Sequence, residues 1–214
     1  GTPQGGVISP LLSNLYLDEL DHQMQAAGYE MTRYADDMVI LCETEEQAQE
    51  ALMHVQAWMS SVKLTLHPEK TRIVDMRQNG SYFDFLGYRF KRSNKGKLLK
   101  LVRPKSVQKL KDSIRPYVKR CNGRSMEAII SILNPKLRGW FEYFKQAFYT
   151  IHQALDSWLR MRLRSIYRKR QKRRGRGRGS DHQRWPNRHF TELGLFSLEA
   201  AKLEAISLHK GAKH

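Results

Sequence analysis

Apolar and polar positions follow two different periods along this chain, and the period changes at four points. Between residues 9 and 27, Leu11, Leu12, Leu15, Tyr16, Leu20 and Met24 recur at three- and four-residue spacing. Asp18, Glu19 and Asp21 fall largely off that stripe, so the spacing predicts a helix. The period then drops. Met38-Val39-Ile40-Leu41-Cys42 is a short, apolar, β-branched run, and with Glu30-Met31-Thr32-Arg33 before it predicts a hairpin reversing around Ala35-Asp36. Helical spacing returns over 45–61, with Ala48, Leu52, Val55 and Met59 on one face and Thr44 placed as N-cap. Short strands are expected at 72–76, 85–90 and 97–102, with Asn94-Lys95-Gly96 turning the last pair. From Pro104 onward the pattern is helical, over 104–119, 125–133, 135–148 and 151–171, with breaks at Asn122-Gly123 and Asn134-Pro135. A last helix is expected at 197–208. Strands and helices packed on one sheet, followed by helices alone, predict an α+β fold. No internal repeat is visible.

Charge sharpens this division. The 214 residues carry a net charge of +17. Residues 1–60 hold one basic residue, Arg33, against ten acids, a net of −9. Residues 61–102 are +7, and residues 103–190 are +19, with twenty-four basic side chains against five acidic ones. An acidic segment collects cations, and the basic half that follows collects phosphate backbone. The run from Lys169 to Gly179 is arginine- and glycine-rich, and such a composition is expected to form an exposed arm rather than a core. Nothing approaches eighteen consecutive apolar residues, so no membrane partner is expected. Cys42 and Cys121 lie far apart without CxxC spacing, which argues against a zinc site or a disulfide framework. Cys42 reads as a reduced core residue, and a cytoplasmic location follows as an expectation.

Asp36-Asp37 at the reversal of the hairpin carries the candidate chemistry. Two carboxylates a few Å apart resist joint ionisation. A divalent cation removes that cost, and Mg²⁺ takes one or two carboxylates while completing its shell with water and phosphate oxygens. The pair therefore suggests a metal site for phosphoryl transfer. A solvated turn between two strands is the alternative for an isolated Asp-Asp.

The pair is not isolated. Gly1-Thr2-Pro3-Gln4-Gly5-Gly6-Val7-Ile8-Ser9-Pro10-Leu11-Leu12-Ser13-Asn14 and Arg33-Tyr34-Ala35-Asp36-Asp37-Met38-Val39-Ile40-Leu41 together closely resemble the palm of reverse transcriptases, nearest to those of bacterial group II introns. Four further segments extend the resemblance: His67-Pro68-Glu69-Lys70-Thr71, Phe83-Asp84-Phe85-Leu86-Gly87-Tyr88, Leu137-Arg138-Gly139-Trp140-Phe141-Glu142-Tyr143-Phe144, and residues 181–196. The resemblance implies a partial polymerase palm over 1–102, a helical thumb or maturase domain over 103–171, and a basic arm with a short DNA-binding region over 172–214.

It also implies roles. Asp36 would bind Mg²⁺ in a two-metal in-line displacement, with Asp37 as the weaker partner. Pro3, Gln4 and Gly5 would contact the incoming nucleotide and the template base, with Tyr34 and Ala35 beneath the primer end. Lys70 would neutralise the leaving pyrophosphate, although a solvated loop lysine is an equal reading. Phe85, Leu86, Gly87 and Tyr88 would form the primer grip, an ordinary buried strand being the competing reading for Phe85 and Leu86. Arg160, Arg164 and Arg168 fall at i, i+4, i+8, so one helix face would meet phosphates. Arg138, Lys169, Arg170, Lys172, Arg173, Arg174, Arg176, Arg178 and Arg184 extend that nucleic-acid surface. Trp140, Phe141, Tyr143 and Phe144 are read mostly as thumb core.

The family's site also requires an Asp on a strand upstream of the Pro-Gln-Gly loop, and the sequence begins at that loop. Asp18, Asp21 and Asp84 do not sit in the matching context. The chain is thus expected to be a C-terminal portion, weak in Mg²⁺ binding and inactive alone. No Cys/His-rich module follows residue 196, so no endonuclease is expected. The expected partners are an RNA template, intron RNA, a DNA primer or target and deoxynucleoside triphosphates; a dimer is left open. Two other readings stand beside the leading one: a non-catalytic RNA-binding maturase, and a reverse transcriptase of a defence or diversity-generating system.

Overall fold

The computed structural model describes the backbone of residues 8–211 and the side chains of residues 8–208. The chain divides into two compact units between Leu99 and Lys100.

In the first unit, helix α1 (Ser9–Ala26) and helix α2 (Glu45–Ser61) flank a hairpin of β1 (Glu30–Tyr34) and β2 (Asp37–Leu41). Leu17, Leu20 and Met24 from α1 pack against Ala51, Val55, Trp58 and Met59 from α2. Met31, Met38 and Ile40 close this core from the hairpin; half-buried and exposed positions alternate along β1 as strand geometry demands, while Val39 of β2 is half-buried too. The α1 stripe differs from expectation in its first half. Leu11, Leu12, Leu15 and Tyr16 are exposed, because the core lies under the last three turns only. Thr44 caps α2 as expected, its hydroxyl accepting from the Gln47 N–H at 3.1 Å.

A second sheet has the order β3-β4-β5, from Tyr82–Phe85, Tyr88–Arg92 and Leu98–Val102. The expected strand at 72–76 does not form; Arg72 instead donates to the Tyr82 carbonyl from irregular backbone. The expected strand at 85–90 is two strands. Leu86 (φ 49°) and Gly87 (φ 77°) both adopt left-handed backbone, reversing the chain in a two-residue loop between Phe85 and Tyr88.

The second unit is helical: α3 (Pro104–Ile114), α4 (Met126–Phe144), α5 (Thr150–Arg170), α6 (Asp181–Arg184), α7 (Asn187–Glu192) and α8 (Leu198–Gly211). Its core joins Ile129, Leu133, Leu137 and Phe141 of α4 to Leu155, Leu159, Leu163 and Ile166 of α5. Residues 125–148 were expected to break at Pro135, yet α4 runs through it. An interior proline costs about 3 kcal/mol. The apolar stripe continues on both sides of Pro135, and Asn134 is tied down by donating to the Gly194 carbonyl (2.8 Å) and accepting from the Phe196 N–H (2.9 Å). Trp185, Phe190, Leu195 and Leu198 belong to the same core, so the residues after 172 pack with the helices rather than forming a separate region.

Candidate functional site

Tyr34 pairs with Asp37, leaving Ala35 and Asp36 as the two-residue tip of the β1–β2 hairpin. Ala35 takes left-handed backbone (φ 53°), which an L-residue with a Cβ adopts at a cost of about 1–2 kcal/mol. Such a conformation persists only where its surroundings over-determine it. Here the determinant is Arg33. Its side chain lies on the core face of the strand, between Met31 and the turn, and is only 8% exposed. Nε donates to Asp21 Oδ1 at 2.7 Å and Nη2 donates to the other carboxylate oxygen. Nη1 donates to Asn14 Oδ1 (3.1 Å) and to the Ala35 carbonyl (2.9 Å). One guanidinium thus ties the strained turn to two positions on α1. Its hydrogen bonds to Asp21 raise the Arg33 pKa above its already high value, against the opposing effect of burial.

The turn presents Asp36 and Asp37 to solvent, with Tyr34 exposed beside them. Adjacent exposed carboxylates meet the minimum that Mg²⁺ asks of a protein, one or two carboxylates with the remaining shell open to water and phosphate. Among the described residues no group of three or more Asp, Glu, His or Cys side chains gathers to hold a metal. Asp36 and Asp37 therefore fit a divalent cation as half of a site. Asp21 and Asp84 are occupied elsewhere, Asp21 by Arg33 and Asp84 by a two-point pair with Arg89 (2.8 and 3.0 Å).

The β3–β4 hairpin carries Phe85, Leu86, Gly87 and Tyr88 at its tip, and β3 runs beside β2. Tyr88 is buried, while Phe85, Leu86 and Gly87 are half-buried. Lys70 is exposed in a turn closed by its own N–H to the His67 carbonyl (3.1 Å). Pro3, Gln4 and Gly5 lie outside the described residues.

The arginine ladder on α5 requires a correction. Arg164 is 1% exposed, and its guanidinium donates to the Trp185 carbonyl and to Asn187 Oδ1, both at 2.8 Å. Burial first, and then Arg160, lower its pKa, while Asp181 opposes them. Arg160 lies 3.5 Å from Asp156 and 3.9 Å from Glu199. Arg168 donates to Asp181 at 2.8 Å and twice to the Arg174 carbonyl. Protein carboxylates and carbonyls, not phosphates, neutralise this ladder. Equal spacing reveals a shared face but not what that face meets. Asp156 and Asp181, the acids that answer the ladder, were the missed residues. Asp156 also accepts from Ser197 Oγ (2.6 Å) and from the Leu198 and Glu199 N–H groups, holding the start of α8. Arg138, Lys169, Arg170, Lys172, Arg173, Arg174, Arg176, Arg178 and Arg184 remain exposed. Arg138 sits 4.5 Å over the Phe196 ring, and Phe141 and Phe144 are core while Tyr143 is exposed.

Known proteins give a consistent context. Residues 1–90 match the family model for reverse transcriptase (RNA-dependent DNA polymerase). Residues 107–185 match that for the group II intron, maturase-specific domain. A curated relative, Protein YkfC of Escherichia coli (strain K12), is 31% identical over an aligned region covering 46% of this chain and 35% of that protein. The chain thus spans about a third of the length of the curated relative it matches. The two matched models follow one another in the order of the two compact units. With a carboxylate-bearing hairpin in the first and a basic helical unit second, the chain matches, segment by segment, the reverse-transcriptase and maturase-specific domains of group II intron proteins.

Proposed function

We propose that this chain supplies the carboxylate hairpin, primer-grip hairpin and thumb of an RNA-directed DNA polymerase that also binds its intron RNA and supports its splicing. The observation that carries this reading is the Asp36-Asp37 pair, held out to solvent on a strained turn that Arg33 braces. Mg²⁺, when bound, would activate a primer 3′-hydroxyl and neutralise the triphosphate of an incoming nucleotide. Asp36 would ligate it and Asp37 would support the site. Phe85, Leu86, Gly87 and Tyr88 would hold the primer strand, Pro3, Gln4, Gly5, Tyr34 and Ala35 the nucleotide, and Lys70 the leaving pyrophosphate. Intron RNA and template would lie along the exposed arginines and lysines of the second unit.

Primer extension on an RNA template with Mg²⁺ tests this, run with the chain alone and with a reverse-transcriptase segment carrying the upstream Asp. Synthesis in the mixture that is lost in Asp36→Ala supports the reading. Once co-purification of the two parts is established, failure to synthesise in the mixture overturns the polymerase role. A second reading, an RNA-binding maturase without polymerase action, rests on the gathering of only two carboxylates among the described residues. It predicts that splicing support survives Asp36→Ala and that the mixture stays inactive.

A further inference from the structure

The arginine- and glycine-rich segment after α5 was expected to be an exposed arm outside any core. It is instead fastened along its length. Helix α5 ends with the Lys172 N–H donating to the Lys169 carbonyl and the Arg173 N–H to the Arg168 carbonyl, both at 2.9 Å, with Lys172 in left-handed backbone (φ 59°). Arg120 then takes the Arg173 carbonyl (3.1 Å) and Arg168 takes the Arg174 carbonyl. The buried Gly177 donates its N–H to Ser165 Oγ at 3.0 Å, and the fully buried Asp181 closes the segment onto Arg168. Gly177 lies so close to α5 that a Cβ there would sit 2.4 Å from Arg164 Cβ and 2.9 Å from Arg164 C and Ser165 N. Two of those three atoms are helix backbone, which cannot move aside.

The side chains go the other way. Arg173, Arg174, Arg176 and Arg178 are exposed, and their guanidiniums make no ion pair or hydrogen bond among the described residues. Four free cations on six consecutive residues repel one another, and a fixed backbone cannot spread them apart. The segment therefore holds a concentrated positive charge in a set shape. The aromatic rings that flank it in the chain, Tyr167 and Trp185, are spent on packing. Tyr167, Trp185 and Phe190 stack on one another inside the second unit, with Tyr167 and Trp185 centroids 5.1 Å apart. Recognition of single strands relies on such rings as stacking platforms, whereas guanidiniums alone read the phosphate backbone.

We propose that residues 172–180 form a pre-shaped loop for the phosphodiester backbone of a nucleic-acid duplex, and that Gly177 is the positioning residue that fixes its shape. This rests on the nucleic-acid-binding reading above and deepens it. A pre-shaped loop spends no ordering entropy on binding. Loosening it should weaken binding without changing how many phosphates are met; deleting its charges should change that number.

The test measures fluorescence anisotropy of the full chain with a duplex RNA, a duplex DNA and a single strand of equal length, over a range of salt. Gly177→Ala is expected to weaken duplex binding about tenfold with the slope of log affinity against log salt unchanged. It should also speed tryptic cleavage within 173–178. Ser165→Ala, which adds no bulk, should do the same to a smaller degree. Arg174→Gln with Arg176→Gln is expected to make the slope shallower by about 0.9 per phosphate lost on a duplex. The tighter of the two duplexes identifies the source of the backbone. Unchanged affinity in Gly177→Ala despite faster cleavage, an unchanged slope in the arginine variants, or tighter binding to the single strand overturns the proposal while leaving nucleic-acid binding intact. Failure of the unaltered chain to bind any of the three at low salt overturns the underlying reading as well.

Discussion

At the scale of single residues, the informative side chains are charged groups that the fold has taken inside. Arg33 stood out in the sequence as the one basic residue of an acidic segment, with no role attached to it. The period-2 pattern of the hairpin was its signal, since Arg33 shares a face with Met31, Met38 and Ile40 and must point inward with them. Removing it leaves Asp21 without its partner and the Ala35 carbonyl without its donor. Breaking a part-buried pair of this kind costs about 3–5 kcal/mol when fully buried, and less here because Asp21 keeps some contact with solvent. Arg33→Ala should therefore lower the urea midpoint of the chain by an amount equivalent to about 2–3 kcal/mol. Arg33→Lys should recover only part of this, because an ammonium cannot span Asp21, Asn14 and Ala35 together. His152 offers a second prediction, with a sign that follows from linkage. It is fully buried beside Trp140 and Phe141, and burial first, then Lys202, depress its pKa below 6.5; Asp156 and the Tyr149 and Phe144 backbone oppose this. As pH falls through about 6.5 the unfolded chain takes up a proton that the folded one refuses, so stability falls until the folded pKa is passed. Denaturant midpoints should drop between pH 7 and 5, and His152→Gln should flatten that slope.

At the scale of elements, the sequence carried helix positions and starts better than helix ends and turns. The Thr44 cap was legible because it is a local signal, and of the stripe expected on α2, Val55 and Met59 are buried, Ala48 and Leu52 are half-buried, and Ala51 and Trp58 complete the buried face. The closures were half legible. Four helices end in the same way, with the next two N–H groups returning to the last turn and one residue in left-handed backbone. After α1 and α7 that residue is Gly28 or Gly194, which a reader expects. After α2 and α5 it is Lys63 or Lys172, which no propensity marks. Lys63 is exposed and offers nothing in return for its φ of 58°. Lys63→Gly should raise stability by about 0.5–1 kcal/mol, read as a shift in denaturant midpoint with unchanged slope. The missed turn at Leu86-Gly87 has the same origin: a leucine in left-handed backbone inside a β-prone run looks like strand. Pro135 erred in the opposite direction, since a strong local breaker is overridden where packing on both sides is sufficient.

At the scale of the whole molecule, the sign of the charge changes near residue 60, inside the first compact unit, and the second unit carries most of the positive charge. Metal-binding carboxylates repel phosphate unless a cation intervenes, so collecting backbone and presenting acids are best done by different surfaces. The sequence could not show how many of the basic side chains are free. Arg160, Arg164 and Arg168 count toward the net charge of +17, yet they face protein acceptors and add little to a phosphate-binding surface. Net charge therefore overstates the number of contacts, and a salt titration measures the true one. If six phosphates are neutralised, affinity for a duplex should fall on the order of 10³-fold between 50 and 200 mM salt. Asp36→Ala should leave that slope unchanged, because the proposed chemistry and the proposed backbone contacts use separate residues. A slope altered by Asp36→Ala would place the carboxylate turn in the binding surface itself, and the separation of the proposed chemistry from the backbone contacts of the basic second unit would fall.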